Sequence, residues 1–486
     1  MITTLAFRHL LVRKVRSVVL LLGFAIGVGV MIVLLSVGQA MLEQSRDVSL
    51  VGGGEVTLLP QGIDVEAMRT GGLSGMFFGI DRARFLTRQA LGGPRHAKLV
   101  RSVSPLMEGK LLYLRHGSRV ITARAGGEIP SRAKAVGSGL DVISGSWHDS
   151  PADSLFIAPT SEQLYHELDR FHLPKQPDSA WAEWHYFNLV ISPSEWWYIT
   201  YLLGGEVGER PNRWGGQLLL THRRPDGKYD RFSTQYPSSA IVFDTLRADL
   251  KLGRNTVRQR NGVYYLEARS GGAAGVRFHL SLRPTPNRYF PPVELRDDEF
   301  VSGYVVPGLM ASATGTICVA DRCRRFSDAP AYHDHNWGVW RDVTWEWGAA
   351  RGRSLALLYG GVYGPERSAL SEPSAVRSPF FLAVVDSLGV RQVLRFSTIE
   401  YSGSRPTKGG QTFRAPERFD LLATRHTDSL RLSVRVEHAL ATEMKARGFR
   451  RGFLQMRGSF TVAGTVLGKV VADSGTGFFE TYVGPR

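Results

Sequence analysis

Hydrophobic residues are distributed in three different ways along the chain. From Val18 to Gly38 they run without one charged residue. That length, at 1.5 Å of rise per residue, matches the ~30 Å hydrocarbon core of a bilayer and predicts a transmembrane helix. Up to about residue 160 they come in short bursts (Glu55–Leu59, Lys110–Leu114, Arg119–Ala123, Ser154–Ala158) between the glycine-rich breaks Gly52–Gly54 and Gly71–Gly79. This predicts a small, mostly β region with one amphipathic helix near Asp81–Ala90. Leu173–Ser179 is proline-containing and polar, as a linker would be. Beyond residue 181, strand-like runs recur between turn signals such as Pro225-Asp226-Gly227. Examples are Trp196–Leu203, Gly216–His222, Val263–Ala268 and Val276–Leu282, then Thr344–Ala349, Ser354–Val362, Phe380–Val385 and Val390–Phe396. Glu417–Thr424, Ser429–His438, Phe453–Leu467 and Gly477–Val483 complete the series. The expected fold is mainly β: two tandem antiparallel barrels behind the helix and the small region. The expected division is 1–40, 41–172, 181–340 and 341–486. The strands carry charges on both faces, so no lipid-facing barrel is implied.

Composition supports this and narrows the partners. Fifty-three glycines, 24 prolines and 50 aromatic residues (10 Trp, 16 Tyr, 24 Phe) favour turn-rich sheets. The formal net charge of +16 is spread along the chain without a Lys/Arg block, which argues against nucleic acid and for a membrane surface. Arg8, Arg13, Lys14 and Arg16 precede the apolar run, whereas Glu43, Arg46 and Asp47 roughly cancel after it. The positive-inside rule then puts the N-terminus in the cytoplasm and the rest outside, on an inner membrane. A cleaved signal peptide ending at Gly38-Gln39-Ala40 is the alternative, but the run exceeds the usual 7–15-residue core of such signals. Gly23 and Gly27 form a GxxxG step of the kind that packs helices together.

The segment LAFRHLLVRKVRSVVLLLGFAIGVGVMIVLLSVGQAM, with the following VGGGEVTLLPQG, resembles the start of ABC-transporter permeases of the macrolide-exporter and lipoprotein-release type. The resemblance covers roughly residues 1–60. It implies an inherited anchor and a possible permease or ATPase partner. No later segment is apolar and long enough to span, and no G-x-x-x-x-G-K-[ST] loop occurs.

Chemistry-bearing residues are densest in Tyr332-His333-Asp334-His335-Asn336-Trp337-Gly338, followed by Trp340, Trp345, Glu346 and Trp347. On a strand, Tyr332, Asp334 and Asn336 share one face, and His333, His335 and Trp337 the other. One of these sets should point into a barrel cavity. Three readings stay open. His333 and His335 are a weak metal pair, with Glu195, Glu346 or the cysteines as further ligands. Alternatively, Asp334 is a buried acid whose raised pKa lets it donate a proton near neutral pH. Otherwise the polar groups serve the backbone while the tryptophans fill core. In Glu195-Trp196-Trp197-Tyr198, Glu195 is either a second cavity carboxylate or the partner of an arginine at a barrel mouth. Cys318 and Cys323 fall on the two arms of a tight hairpin, Thr314–Cys318 and Cys323–Phe326, and outside the cytoplasm should form a disulfide.

AYHDHNWG, with the upstream AEWHYFNL and SEWWYITYLLGG, resembles the hydroxyneurosporene synthase (carotenoid 1,2-hydratase) family and its lipocalin-like relatives over about residues 160–486. The resemblance implies two tandem lipocalin-like barrels around a hydrophobic ligand. It also implies an acid, Asp334, that protonates an isolated double bond beside Tyr332. Candidate ligand contacts are Glu195, Trp197, Tyr304, Asn336 and Trp337. The family's His and Trp some 27–29 residues before the acid are absent, since the region reads Ser302-Gly303-Tyr304-Val305-Val306-Pro307. The favoured expectation is a membrane-anchored extracytoplasmic carrier of a lipid, terpenoid or carotenoid-like molecule. A hydratase or cyclase using Asp334, and an accessory subunit of a permease, are the alternatives. No cofactor is expected.

Overall fold

A computed structural model describes residues 14–46, 56, 58, 80–136, 148–157, 167–173, 180–204, 214–271, 275–296, 301–339, 344–363, 380–407, 413–446 and 449–483. The chain forms two compact units, one of residues 1–92 and 96–158, the other of residues 93–95 and 159–486.

In the first unit one helix, Lys14–Arg46, contains the apolar run. Within Lys14–Gly38 an 18-residue window has a mean hydropathy of 3.0, and none of that window is buried against protein. The helix is long and apolar enough to cross a membrane. The amphipathic helix expected near Asp81–Ala90 is present as Ile80–Gly92, and the two central apolar bursts pair as a hairpin, Leu106–His116 with Arg119–Glu128. Of Ser154–Ala158, expected as one more apolar burst of a β region, the described residues Ser154–Ile157 instead lie in the helix Pro151–Ile157. Local capping explains the change. The Asp153 carboxylate accepts the Ser150 N–H at 2.8 Å, while Ser150 Oγ accepts the Asp153 N–H at 3.2 Å. Proline at the first helical position completes this start signal. Gly52–Gly54, Gly71–Gly79 and most of Glu55–Leu59 and Leu173–Ser179 lie outside the described residues.

The second unit is built from two barrel-like antiparallel sheets. Twelve strands form the first, and the strands that matter for function lie side by side at its centre. Their order is Glu195–Gly204, Trp181–Ser192, Arg322–Val339, Val301–Val319. The second sheet starts at Thr344 and closes on itself through the pairing of Arg395 with Thr424. At its centre lie Ala356–Tyr363, Thr344–Gly352, Lys469–Val483 and Phe449–Val466, in that order.

Each sheet encloses an apolar core, and a third cluster fills the seam where the outer faces of the two sheets meet. Strand alternation assigns the residues. Trp197, Ile199, Tyr201 and Leu203 point into the first barrel, whereas Trp196 and Tyr198 point into the seam. Full burial of one large apolar side chain contributes roughly 1.5–3 kcal/mol, so a seam with this many aromatic rings holds the barrels in fixed register. Gly360 lies opposite Trp347 in the ladder, where a Cβ would come within 2.6 Å of the indole. The missing side chain is what lets Trp347 lie flat along the seam.

Candidate functional site

The strand Arg322–Val339 has protein on both faces, and its residues Ala331–Gly338 are buried. Its alternation creates two polar clusters that never meet.

One face looks into the first barrel. His335 Nδ1 lies 2.5 Å from Asp169 and its Nε2 lies 3.1 Å from Glu183, so the ring donates to two carboxylates. Burial alone would push the His335 pKa down, yet Asp169 and Glu183 overcome it and hold the ring charged, at about 9. Asp169 is held well below the usual carboxylate range despite burial, by the His335 charge and bonds from His333 and His335. Tyr264 also donates to Asp169, at 2.5 Å, and the His172 N–H donates to Glu183 at 2.7 Å. Trp337 stacks on His172 at 3.6 Å and donates to Glu294. Donor atoms of Asp169, His185 and His335 lie within 4.8 Å of one another, close enough for a metal ion. A metal needs a bare ring nitrogen, however, and both nitrogens of His335 face carboxylates in the manner of an imidazolium.

The other face looks into the seam. Asp334 is 2% exposed. Its Oδ2 accepts the Tyr332 O–H at 2.6 Å and its Oδ1 accepts Asn336 Nδ2 at 2.7 Å. Tyr332 in turn accepts the Trp347 indole N–H from the second barrel, at 3.0 Å. Burial pushes the Asp334 pKa up; the bonds from Tyr332 and Asn336 pull it down, and the Glu480 charge pushes it up again. Burial wins, and the carboxyl titrates at about 8. Aromatic rings wall this acid. Tyr304 meets Trp347 edge to face at 5.1 Å and stacks on Phe381 at 5.7 Å, and Tyr332 meets Tyr186 at 6.4 Å.

Glu480, on the second-barrel strand Lys469–Val483, faces the same seam. Trp345 donates to it at 3.3 Å, as do Tyr186 and Gln455. Burial raises its pKa to about 7 against those three bonds. Gln455 also donates to Tyr186 Oη at 3.2 Å, across the barrels. Glu480, Gln455, Trp184, Trp345 and Trp347 are only half-buried, so this side of the seam borders solvent.

The candidates sort by strand face. Tyr332, Asp334, Asn336 and Tyr304 converge in the seam. Asp334 therefore faces the seam between the two barrels and not the interior of either one. Trp337 and the two histidines point the opposite way, into the first barrel. Glu195 does not join Asp334 either. It pairs with Arg324 and with His222, while Trp197 stacks on His222 at 4.0 Å within the first-barrel core. The mouth-side reading of Glu195 is the one that matches this arrangement. Glu346, entertained as a metal ligand, sits in the second barrel bonded to Tyr401 and Thr481. Cys318 and Cys323 face each other in the hairpin register and are disulfide-bonded.

Sequence reasoning missed Asp169, Glu183 and Glu480. Asp169 precedes the first barrel strand in a short segment without a motif. Glu480 lies in Gly477-Phe478-Phe479-Glu480-Thr481, where alternation alone marks it as sharing a face with Phe478.

No family model matches the chain, and no curated protein matches its sequence. Several solved structures are similar in shape to part of this chain. A putative AttH from Nitrosomonas europaea is 13% identical, with a TM-score of 0.44 over 63% of this chain and 93% of its own. CghA bound to Sch210972 is 11% identical, with a TM-score of 0.48 over 67% and 96%. Kievitone hydratase from Nectria haematococca is 13% identical, with a TM-score of 0.40 over 65% and 94%.

Proposed function

We propose that the seam between the barrels takes a hydrophobic ligand, and that Asp334 donates a proton to an isolated carbon–carbon double bond of that ligand. One observation carries this reading. Asp334 is a buried carboxyl that, among the described residues, is bonded by no cation, and it keeps its proton up to about pH 8. A carboxyl poised near the working pH combines the protonated state with a real tendency to give the proton away. Once the proton leaves, the Tyr332 O–H and the Asn336 N–H are already aimed at the new carboxylate, so little reorganisation follows. Tyr304, Trp347 and Tyr186 lie in the same seam as the acid, and aromatic rings attract a developing cation. Water capture of the cation gives an alcohol; capture by a second double bond gives a ring.

The apolar helix fits the same reading. As an uncleaved anchor in the inner membrane, with its N-terminus in the cytoplasm, it would keep the barrels beside a reservoir of lipophilic substrate. A permease partner would show itself as co-purification with a multi-span protein and an ATPase.

The test uses an acyclic isoprenoid alcohol with isolated trisubstituted double bonds. Wild type should convert it to a tertiary alcohol or a cyclised product. Asp334→Asn should bind it with similar affinity and return it unchanged. Binding without turnover by wild type would leave a carrier and remove the acid role.

A further inference from the structure

The seam holds a second carboxyl that the reading above does not use. Glu480 is contributed by the other barrel, and two short chains of contacts connect it with Asp334. Along one edge Trp347, which pairs with Glu480 in the ladder, donates to Tyr332, which donates to Asp334. Along the other, Tyr186 stands opposite Asp334 in the ladder and its hydroxyl reaches Glu480. Gln455, opposite Glu480, completes this edge by bonding Tyr186.

The two carboxyls differ in what surrounds them. Asp334 is enclosed, whereas Glu480 and its neighbours Gln455, Trp184, Trp345 and Trp347 keep part of their surface uncovered. The Glu480 side is therefore the solvent-facing side of the pair. None of the three donors to Glu480 carries a charge. The titratable groups on its seam side are Tyr186 and Tyr198 from the first two central strands and Tyr332 and Asp334 from the third, while Tyr359 feels its charge from the second-barrel core. Arg457, beside Tyr198, and Arg223 are the cations on that flank among the described residues.

We propose that Glu480 is the general base of this site and takes a proton from the water that captures the cation made by Asp334; the proposal rests on the acid role given above. In the first step Asp334 gives its proton to one alkene carbon. The π electrons form the new C–H bond, and the other carbon becomes a tertiary cation. A lone pair of water then forms the C–O bond as one water proton passes to Glu480. Return of a proton from Glu480 to Asp334 through water in the seam restores both groups. The sum is alkene plus water to alcohol.

Titration supports this division of labour. Glu480 loses its proton at about 7 and its charge then opposes ionisation of Asp334, which holds on to about 8. Burial thus brings both carboxyls into the range where a neighbouring pair can share acid and base roles.

The experiment uses the full chain in detergent, geranylgeraniol as probe and deuterated buffer over a pH series. Wild type should show a bell-shaped hydration profile. Glu480→Gln should lower alcohol formation by about 10²–10⁴-fold and remove the rising limb, while deuterium still enters the recovered alkene. Asp334→Asn should abolish both alcohol and deuterium uptake. If Glu480→Gln does not fold, Glu480→Asp carries the test. It should keep the rising limb with a lower ratio of alcohol to exchange, and an unchanged ratio would overturn the proposal. A Glu480→Gln enzyme that hydrates at the wild-type rate, or keeps its rising limb, overturns the base role alone. A wild type that neither hydrates nor exchanges overturns the acid role with it.

Discussion

The two faces of one strand show how differently a buried carboxylate can be used. On the barrel-core face, Asp169 and Glu183 flank His335 within hydrogen-bond distance, and all three stay ionised. On the seam face, one residue away in sequence, Asp334 has only neutral donors and keeps its proton. Burial is the same in both places; the partner differs. A carboxylate paired with an imidazolium is locked, because giving up its charge would strand the partner. A carboxyl without a cation is left near the point of titration, which is where proton transfer is productive.

The contrast can be broken most severely on the locked side. Asp169→Asn leaves the His335 charge with one carboxylate where it had two, and should cost about 3–5 kcal/mol in urea unfolding at pH 7. The His335 pKa is raised, so the pairing is fully present below its ordinary value near 6.5 and is lost as pH climbs through about 9. The deficit of Asp169→Asn should therefore shrink above pH 9. A deficit that is the same at pH 7 and pH 10 would remove the imidazolium from the account.

On the seam side the same kind of change should act on turnover and spare the fold. Asp334→Asn should reduce turnover by about 10²–10⁴-fold. Its stability effect has the opposite sign to that of Asp169→Asn. A raised acid pKa means that the folded wild type binds more protons than the unfolded chain between about pH 4 and 8, so wild type loses stability across that window. The asparagine does not titrate. It should match wild type near pH 4 and gain on it toward pH 8, by at most ~1.4 kcal/mol per pH unit. Differential scanning calorimetry at several pH values reads this directly.

Tyr332→Phe sharpens the comparison with a smaller effect. It removes one donor from the carboxylate that forms in the reaction, a bond of about 1.5–3 kcal/mol, and should slow turnover roughly 10–100-fold while raising the basic limb of the pH profile. Smallest is Cys318→Ser, which should cost about 2 kcal/mol or less because the loop it opens is short and the hairpin is already in register. Mass spectrometry of non-reduced protein exported from cells should find Cys318 linked to Cys323; free thiols there would argue against an extracytoplasmic barrel.

Much of this arrangement was legible in the chain. Alternation alone put Tyr332, Asp334 and Asn336 on one face and the histidines on the other, and the recurring strands announced two barrels. What alternation does not say is which face is inside. Both faces of the Arg322–Val339 strand are buried, one by its own barrel and one by its neighbour, and only tertiary docking distinguishes them. Glu195 shares a face with Trp197, and that face belongs to the first-barrel side, where Glu195 meets Arg324 and His222 as the mouth-side reading expects. Glu480 and Asp169 carry no local signal. Their roles come from residues more than a hundred positions away, Tyr186 and Trp345 for one, His335 for the other.

The protonation state of Asp334 at neutral pH is the quantity on which all of this turns. Infrared titration, taken as the difference between wild type and Asp334→Asn, isolates its carboxyl stretch. The account predicts a protonated band at pH 7 that converts to carboxylate with a midpoint of about 8. A carboxylate band already present at pH 7, with an ordinary acidic midpoint, would contradict it.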